Sequence, residues 1–366
     1  MRFALTEEQE ELAAAVRGLV ERRAGTLDLR AAVATQRGYD EELWSALTGQ
    51  IGVAALAVPE EYGGAGFGLF EVQVVLEQLG ASLTPSPMLG SAVLAAQAVL
   101  NAAGPEDRAR LLPGLAEGTT IGALAWADAA GRWRTDTGDI TASEDAGWTL
   151  TGAATLVLDG ARADLLLAVA DTGSGVGLFE VDPAAGGVTR TPTPALDLTL
   201  QLAEVRFEEA PATALSTDAG AALERLHAIA AVAVTALQVG GAQTALDRTV
   251  AHLQEREQFG RPLGSFQALK HRVADLLVAV ETARSISWAG AWATSRDTAD
   301  QQLQASLAKA WCSEAFSTVA AEAVQLHGGI AITWEHDAQL YLKRAHATAQ
   351  LFGAAHEHRA RILQAL

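Results

Sequence analysis

Between about Gly122 and Ala214 the chain breaks into short apolar runs, "WTLTG", "TLVLDG", "DLLLAVA", "VGLFEVD" and "LAEVRFEE", each cut off by Gly, Asp or Pro. Runs of that length and spacing predict the strands of an antiparallel barrel or sandwich. Residues 1 to about 118 instead carry helical periodicity, and beyond residue 217 the chain returns to long helices with few breakers. A strand-rich middle between two helical ends predicts an α+β multidomain protein. Its expected domains are 1–118 (α-helical), 119–215 (β) and 216–366 (helical bundle), and 366 residues are enough for several packed units.

Local signals refine this outline. Thr6 and Gln9 have the spacing of a capping box, followed by an apolar stripe at Leu12, Val16 and Leu19. A second helical run, "EELWSALTGQIG", ends at glycine. Pro59 and the glycines at 63, 64, 66 and 68 interrupt the pattern, which resumes at Leu69. In the last domain Leu269, Val273, Leu276 and Val280 share one helix face.

Several function classes are disfavoured. A formal net charge of −18 argues against affinity for nucleic-acid phosphates or anionic membranes. The lone Cys312 rules out an internal disulfide and any cysteine-based metal cluster. The N-terminus "MRFALTEEQEELAAAV" reads as a helix rather than a signal peptide, and no stretch reaches the ~20 uninterrupted apolar residues of a membrane span, so a cytoplasmic location is expected. No HExxH pair, calcium loop, P-loop, GxSxG elbow or post-strand GxGxxG occurs, and no metal site is expected.

Two segments of the last domain look built for an anionic ligand. In "REQFGRPLGSFQALKHR", Arg256 stands at a helix end and can offer forked donors to a phosphate. Gly260 and Pro262 break the helix, and Gln267 opens the next one toward the same cleft. The bland reading is an exposed arginine, a core Phe259 and an ordinary turn. In "AVQLHGGIAITWEH", Gln325 ends a helical run and Gly328-Gly329 lets backbone amides approach a ligand closely. The bland reading there is a helix C-cap.

Together and in this order, followed by "YLKRA", these segments resemble the two C-terminal motifs of the acyl-CoA dehydrogenase family. "IGVAALAVPEEYGGAGFG" resembles a loop of that family's N-terminal helical domain, so the resemblance covers nearly the whole chain. It implies an N-terminal helical domain, a middle β-barrel or sandwich domain and a C-terminal four-helix bundle, usually assembled as tetramers. It also implies FAD as cofactor, Cα–Cβ oxidation of an acyl-CoA thioester, and an electron acceptor such as electron-transfer flavoprotein. In the family, the Arg and Phe of RxxFG, the Gln of FQ and the QxxGG segment serve the pyrophosphate and ADP part of a neighbouring subunit's FAD. Those roles fall on Arg256, Phe259, Gln267, Gln325, Gly328 and Gly329.

The chain departs from the family where the chemistry is done. The catalytic Glu of many members sits in a YEGT-like segment; here "HATAQLFGAAHEHR" places Phe352-Gly353 in its stead. Other members carry the Glu roughly seven turns before RxxFG, where this chain has alanines around Ala230. The flavin-covering KxWIT strand reads "GAATLVLDG", with Ala154, Leu156 and Leu158 replacing Lys, Trp and Thr.

A kept clamp beside a lost base and ring platform implies the FAD-clamping, non-catalytic subunit of an α2β2 acyl-CoA dehydrogenase. Such assemblies act on sterol-derived or other unusual acyl-CoAs. Three alternatives stay open here: a self-sufficient dehydrogenase with its base at Glu224, Glu357 or Asp128, a flavin-dependent monooxygenase on the same fold, and a non-enzymatic scaffold.

Overall fold

The computed structural model describes residues 4–24 and 29–365; Met1–Phe3 of the N-terminal stretch lie outside the described residues. Before the strands, the described residues form α1 (Glu7–Ala24), α2 (Leu29–Val33), α3 (Glu41–Ala46), α4 (Leu69–Ala81), α5 (Ala96–Ala102) and α6 (Pro105–Glu117). The strands are β1 (Gly122–Ala125), β2 (Thr141–Glu144), β3 (Trp148–Leu158), β4 (Leu165–Asp171), β5 (Val176–Val181), β6 (Val188–Pro192) and β7 (Leu202–Ser216). Then follow α7 (Gly220–Glu255), a small hairpin of β8 (Glu257–Gln258) and β9 (Arg261–Pro262), and α8 (Gln267–Ser295), α9 (Gln301–His327), α10 (Ala338–Gln350) and α11 (Ala355–Ala365).

The Thr6–Gln9 capping box forms. The Gln9 amide donates to Thr6 Oγ1 at 3.3 Å, and the Thr6 amide donates to Gln9 Oε1 at 3.0 Å. α3 starts on Asp40, whose carboxylate accepts from the amides of Glu42 and Leu43, and its run ends at Gly52 in the left-handed conformation (φ +77°).

The chain divides into two compact units: residues 14–72 with 85–230, and residues 1–13, 73–84 and 231–366. In the first, the sheet order β1-β4-β2-β3-β7-β5 closes on itself, because β5 pairs with both β7 and β4; β6 adds to β7. Ala123, Leu150, Leu166, Ala168, Phe179, Val205 and Phe207 fill the interior. The sheet is not wholly antiparallel as expected. β1 and β2 both run parallel to β4, which the long stretches of chain between those strands permit. β7 is buried at alternate positions through Phe207, then resets at Ala210. Glu209 takes φ +51° there, and the β3 register shifts between Leu150 and Gly152.

In the second unit α4 and α7 cross backbone against backbone. A Cβ on Gly240 would lie 1.9 Å from the Glu77 carbonyl oxygen, and one on Gly80 would lie 2.4 Å from that of Leu237. α7 is buried without interruption from Leu226 to Ala242, as a helix apolar on every side must be. By length and mean hydropathy (1.5) α7 is apolar enough to cross a bilayer, though polar residues interrupt it, and 89% of that window is buried inside the protein.

Candidate functional site

The α7–α8 connection is a two-residue hairpin turn with Phe259 (φ +57°) and Gly260 (φ +75°) both left-handed. Glycine tolerates that conformation, whereas phenylalanine is strained in it by roughly 1–2 kcal/mol. Phe259 is no core residue, being 88% exposed. It rests edge-on against Phe266 at 6.2 Å, and the Arg261 guanidinium lies 3.9 Å over the Phe266 ring. A strained, solvent-facing phenyl has no explanation within its own chain.

Arg256 follows directly on α7. Its amide donates to the His252 carbonyl, and its own carbonyl accepts from the Leu263 amide, both at 2.8 Å. Its side chain is exposed, and among the described residues it pairs with no carboxylate. Gln267 opens α8 and Gln325 lies near the end of α9, both exposed. An ion pair between Arg272 and Glu322 ties those two helix ends together. The last turn of α7, just before RxxFG, also meets the QxxGG segment. The His252 ring stacks on His327 at 4.4 Å, and His327 lies 4.8 Å from His336.

Gly328 needs its glycine for φ +68°. Gly329 does not: its φ is ordinary, and an added Cβ would meet nothing within 4 Å. The space above it is therefore open to a ligand. Arg256, Arg261 and Lys270 add exposed positive charge at this end of a chain of net charge −18. Donors, open glycine and cations fit the pyrophosphate and ADP part of FAD.

Gly353, where the resemblance would put the base, is half-buried in a structural joint. Gly353 sits at φ +103°, and a Cβ there would lie 3.0 Å from His358 Nε2. Behind the turn, fully buried Lys309 donates to Ser313 Oγ (3.0 Å), the Ala349 carbonyl (3.1 Å) and the Gly353 carbonyl (2.9 Å). Burial lowers this amine to about 7. The His358 Nε2 contacts the Phe352 carbonyl at 2.9 Å, and burial followed by the neighbouring Lys309 lowers its imidazole to about 3. At the alternative position, Ala230 is fully buried in α7.

The three substitute carboxylates differ in their settings. Asp128 accepts from the amides of Ala130 and Arg132 and from Arg132 Nε at 2.8–2.9 Å. Burial alone would raise its carboxyl, but those bonds outweigh it and hold the group below its ordinary range. Glu357 accepts from the Ala354 amide at 2.7 Å as a cap at the start of α11. Glu224 is exposed on α7.

At the positions the resemblance would give the flavin-covering strand, Ala154 points into the barrel interior, Leu158 is buried, and Leu156 occupies a β3 bulge at φ +52°. These residues offer no aromatic platform and no hydroxyl. Sequence reasoning missed the histidine stack and the Lys309 joint. The only trace of the stack is a histidine one turn before Arg256 and another inside QxxGG.

Comparison with known proteins agrees with this layout. Residues 6–119 match the profile "Acyl-CoA dehydrogenase, N-terminal domain" and residues 220–366 match "Acyl-CoA dehydrogenase, C-terminal domain". "Acyl-CoA dehydrogenase IpdE2" of Mycolicibacterium smegmatis is 41% identical over 358 residues, covering 98% of each chain. Two solved structures are similar throughout. One is a variant of the Tcur3481-Tcur3483 steroid ACAD (TM-score 0.89, 32% identity, covering 98% of this chain and 97% of that one). The other is the ChsE4-ChsE5 complex from Mycobacterium tuberculosis (TM-score 0.90, 30% identity, covering 100% and 98%).

Proposed function

The chain belongs to the acyl-CoA dehydrogenase family of FAD-dependent oxidoreductases, and within it we propose that this chain is the flavin-clamping, non-catalytic subunit of a hetero-oligomer. The assembly dehydrogenates the Cα–Cβ bond of an acyl-CoA thioester and passes the electrons to electron-transfer flavoprotein or a similar acceptor. One contrast carries the reading. The clamp residues are exposed and open, whereas the position of the base is a half-buried glycine held by Lys309 and crowded by His358.

FAD, when bound, supplies the hydride acceptor. In the assembly, Arg256 gives forked donors to the pyrophosphate, Gln267 and Gln325 donate amide hydrogens beside it, and the Gly328-Gly329 backbone admits the ADP part closely. The paired subunit supplies the carboxylate that removes the α-proton, the ring platform and the acyl pocket. Similarity to a steroid ACAD and to a two-component complex supports a paired assembly and a steroid-derived acyl-CoA as substrate class.

The test is acyl-CoA-dependent reduction of an artificial acceptor. It is measured for the chain alone and for the chain co-purified with candidate acyl-CoA dehydrogenase partners from its own genome. The pair turns over and loses activity when the partner's carboxylate base is removed, while the lone chain is inactive. Equal turnover by the lone chain contradicts the proposal.

A further inference from the structure

We propose that the His252–His327–His336 stack is a proton-operated latch on the clamp: neutral, it holds the RxxFG and QxxGG segments together for the flavin; protonated, it lets them part. This rests on the clamp reading above and adds a regulation to it.

Each ring belongs to a different segment. His252 lies in the last turn of α7, and its carbonyl anchors the Arg256 amide at 2.8 Å. His327 lies between Gln325 and Gly328, and His336 stands just before α10. The ring contacts, stacked at 4.4 Å and tilted at 4.8 Å, therefore join both halves of the clamp to the helix beneath them. Among the described residues no cluster of metal-ligating side chains forms.

Hydrogen bonding assigns the neutral tautomers of two rings. His327 Nδ1 is 2.7 Å from the Ala323 carbonyl, which only accepts, so Nδ1 carries the proton. His336 Nδ1 accepts from the Ala338 amide at 3.2 Å, so its proton is on Nε2. Protonating His336 would take away that acceptor, which serves the first turn of α10, and set a cation at the positive end of that helix.

The surroundings of His252 also resist charge. Burial, the other two imidazoles and Arg256 oppose protonation, Glu255 favours it, and the group lies below its ordinary value. The flanking Arg248–Asp337 ion pair (2.7 Å) is internally balanced. Position in the last turn of α7 favours imidazolium at His252, against the burial that opposes it. An imidazolium at His252 would face the Arg256 guanidinium, and a second proton on the stack would set like charges ring against ring, so the stack would come apart.

These histidines are positioning residues, so the test is a pH profile. The complex with its bound FAD is held at a series of pH values from about 8 to about 5.5, and released flavin is read by fluorescence after ultrafiltration. For one linked proton, flavin affinity falls by up to about tenfold per pH unit below the transition. His252→Phe keeps a stacking ring without a proton site, and His336→Gln keeps an acceptor for the Ala338 amide. Each flattens the profile while holding flavin near pH 8, and if one does not fold, the other decides. A flat wild-type profile, or variants as steep as wild type, overturns the latch; if Arg256→Ala still loses flavin at every pH, the clamp stands. If Arg256→Ala holds flavin like wild type, clamp and latch fall together.

Discussion

Lys309 Nζ donates to the Gly353 carbonyl at 2.9 Å, so a buried amine pins the turn where the family resemblance would put the base. Restoring the carboxylate at this position does not restore an active site. In Gly353→Glu the new Cβ would sit 3.0 Å from His358 Nε2 on a backbone at φ +103°. The expected result is a loss of about 1–3 kcal/mol of stability and no turnover by the lone chain. Melting curves and the acceptor assay check it, and appreciable turnover would mean that the ring side is intact after all.

Lys309 also makes stability depend on pH. Burial lowers its folded-state pKa from 10.5 to about 7, so the unfolded chain binds the extra proton between those values. Stability at this site is thus poorest below about 7 and rises with pH up to about 10.5, by at most about 1.4 kcal/mol per unit. Urea unfolding across that range should show the rise in wild type and a flatter profile in Lys309→Met. Parallel profiles would show that the amine titrates normally.

The clamp predicts two variants with different signatures from ordinary destabilisation. Arg256→Ala weakens flavin retention by the complex by roughly 1.5–3 kcal/mol, the scale of a charge-assisted hydrogen bond. Gly329→Ala leaves the chain's own stability within about 0.5 kcal/mol, since its Cβ meets nothing within 4 Å. Flavin retention still falls, because the methyl enters the ligand's space. Equilibrium flavin release and melting curves separate the two effects. Undiminished flavin content in either purified complex would remove that residue from the clamp.

Phe259 trades strain for exposure. Phe259→Gly relieves the left-handed backbone and stabilises the isolated chain by about 0.5–1 kcal/mol, strain relief less the added chain entropy of glycine. The same change weakens assembly with the partner, because a phenyl that is 88% exposed is removed. Unfolding of the chain and equilibrium sedimentation of the complex read the two halves. An unchanged association constant would leave the phenyl without a role.

What was legible in the sequence was what local chemistry dictates. The Thr6–Gln9 box, the glycine ending at Gly52 and the helix restart at Leu69 all follow from nearest neighbours. The strand-rich middle was legible by its texture, but the parallel pairing of β1 and β2 with β4 was not, because register between distant strands leaves no local mark. Arg256, Gln267 and Gln325 could be named in advance, yet their gathering depends on the contacts His252–His327 and Arg272–Glu322 across long stretches of chain. Phe259, named for the flavin from the resemblance, is 88% exposed, which sets aside the bland reading of a core residue. Lys309 carries no motif at all; its importance lies in being buried beside two carbonyls forty and more residues away.

The central claim is that this chain holds a neighbour's flavin and completes no flavin site of its own. The most direct measurement is the flavin content of the purified chain alone and of its complex with a paired acyl-CoA dehydrogenase, each with its mass in solution. The account predicts a colourless lone chain and a complex carrying one FAD for each pair of subunits. A lone chain that purifies yellow, with one FAD per chain and activity toward acyl-CoA, would contradict it.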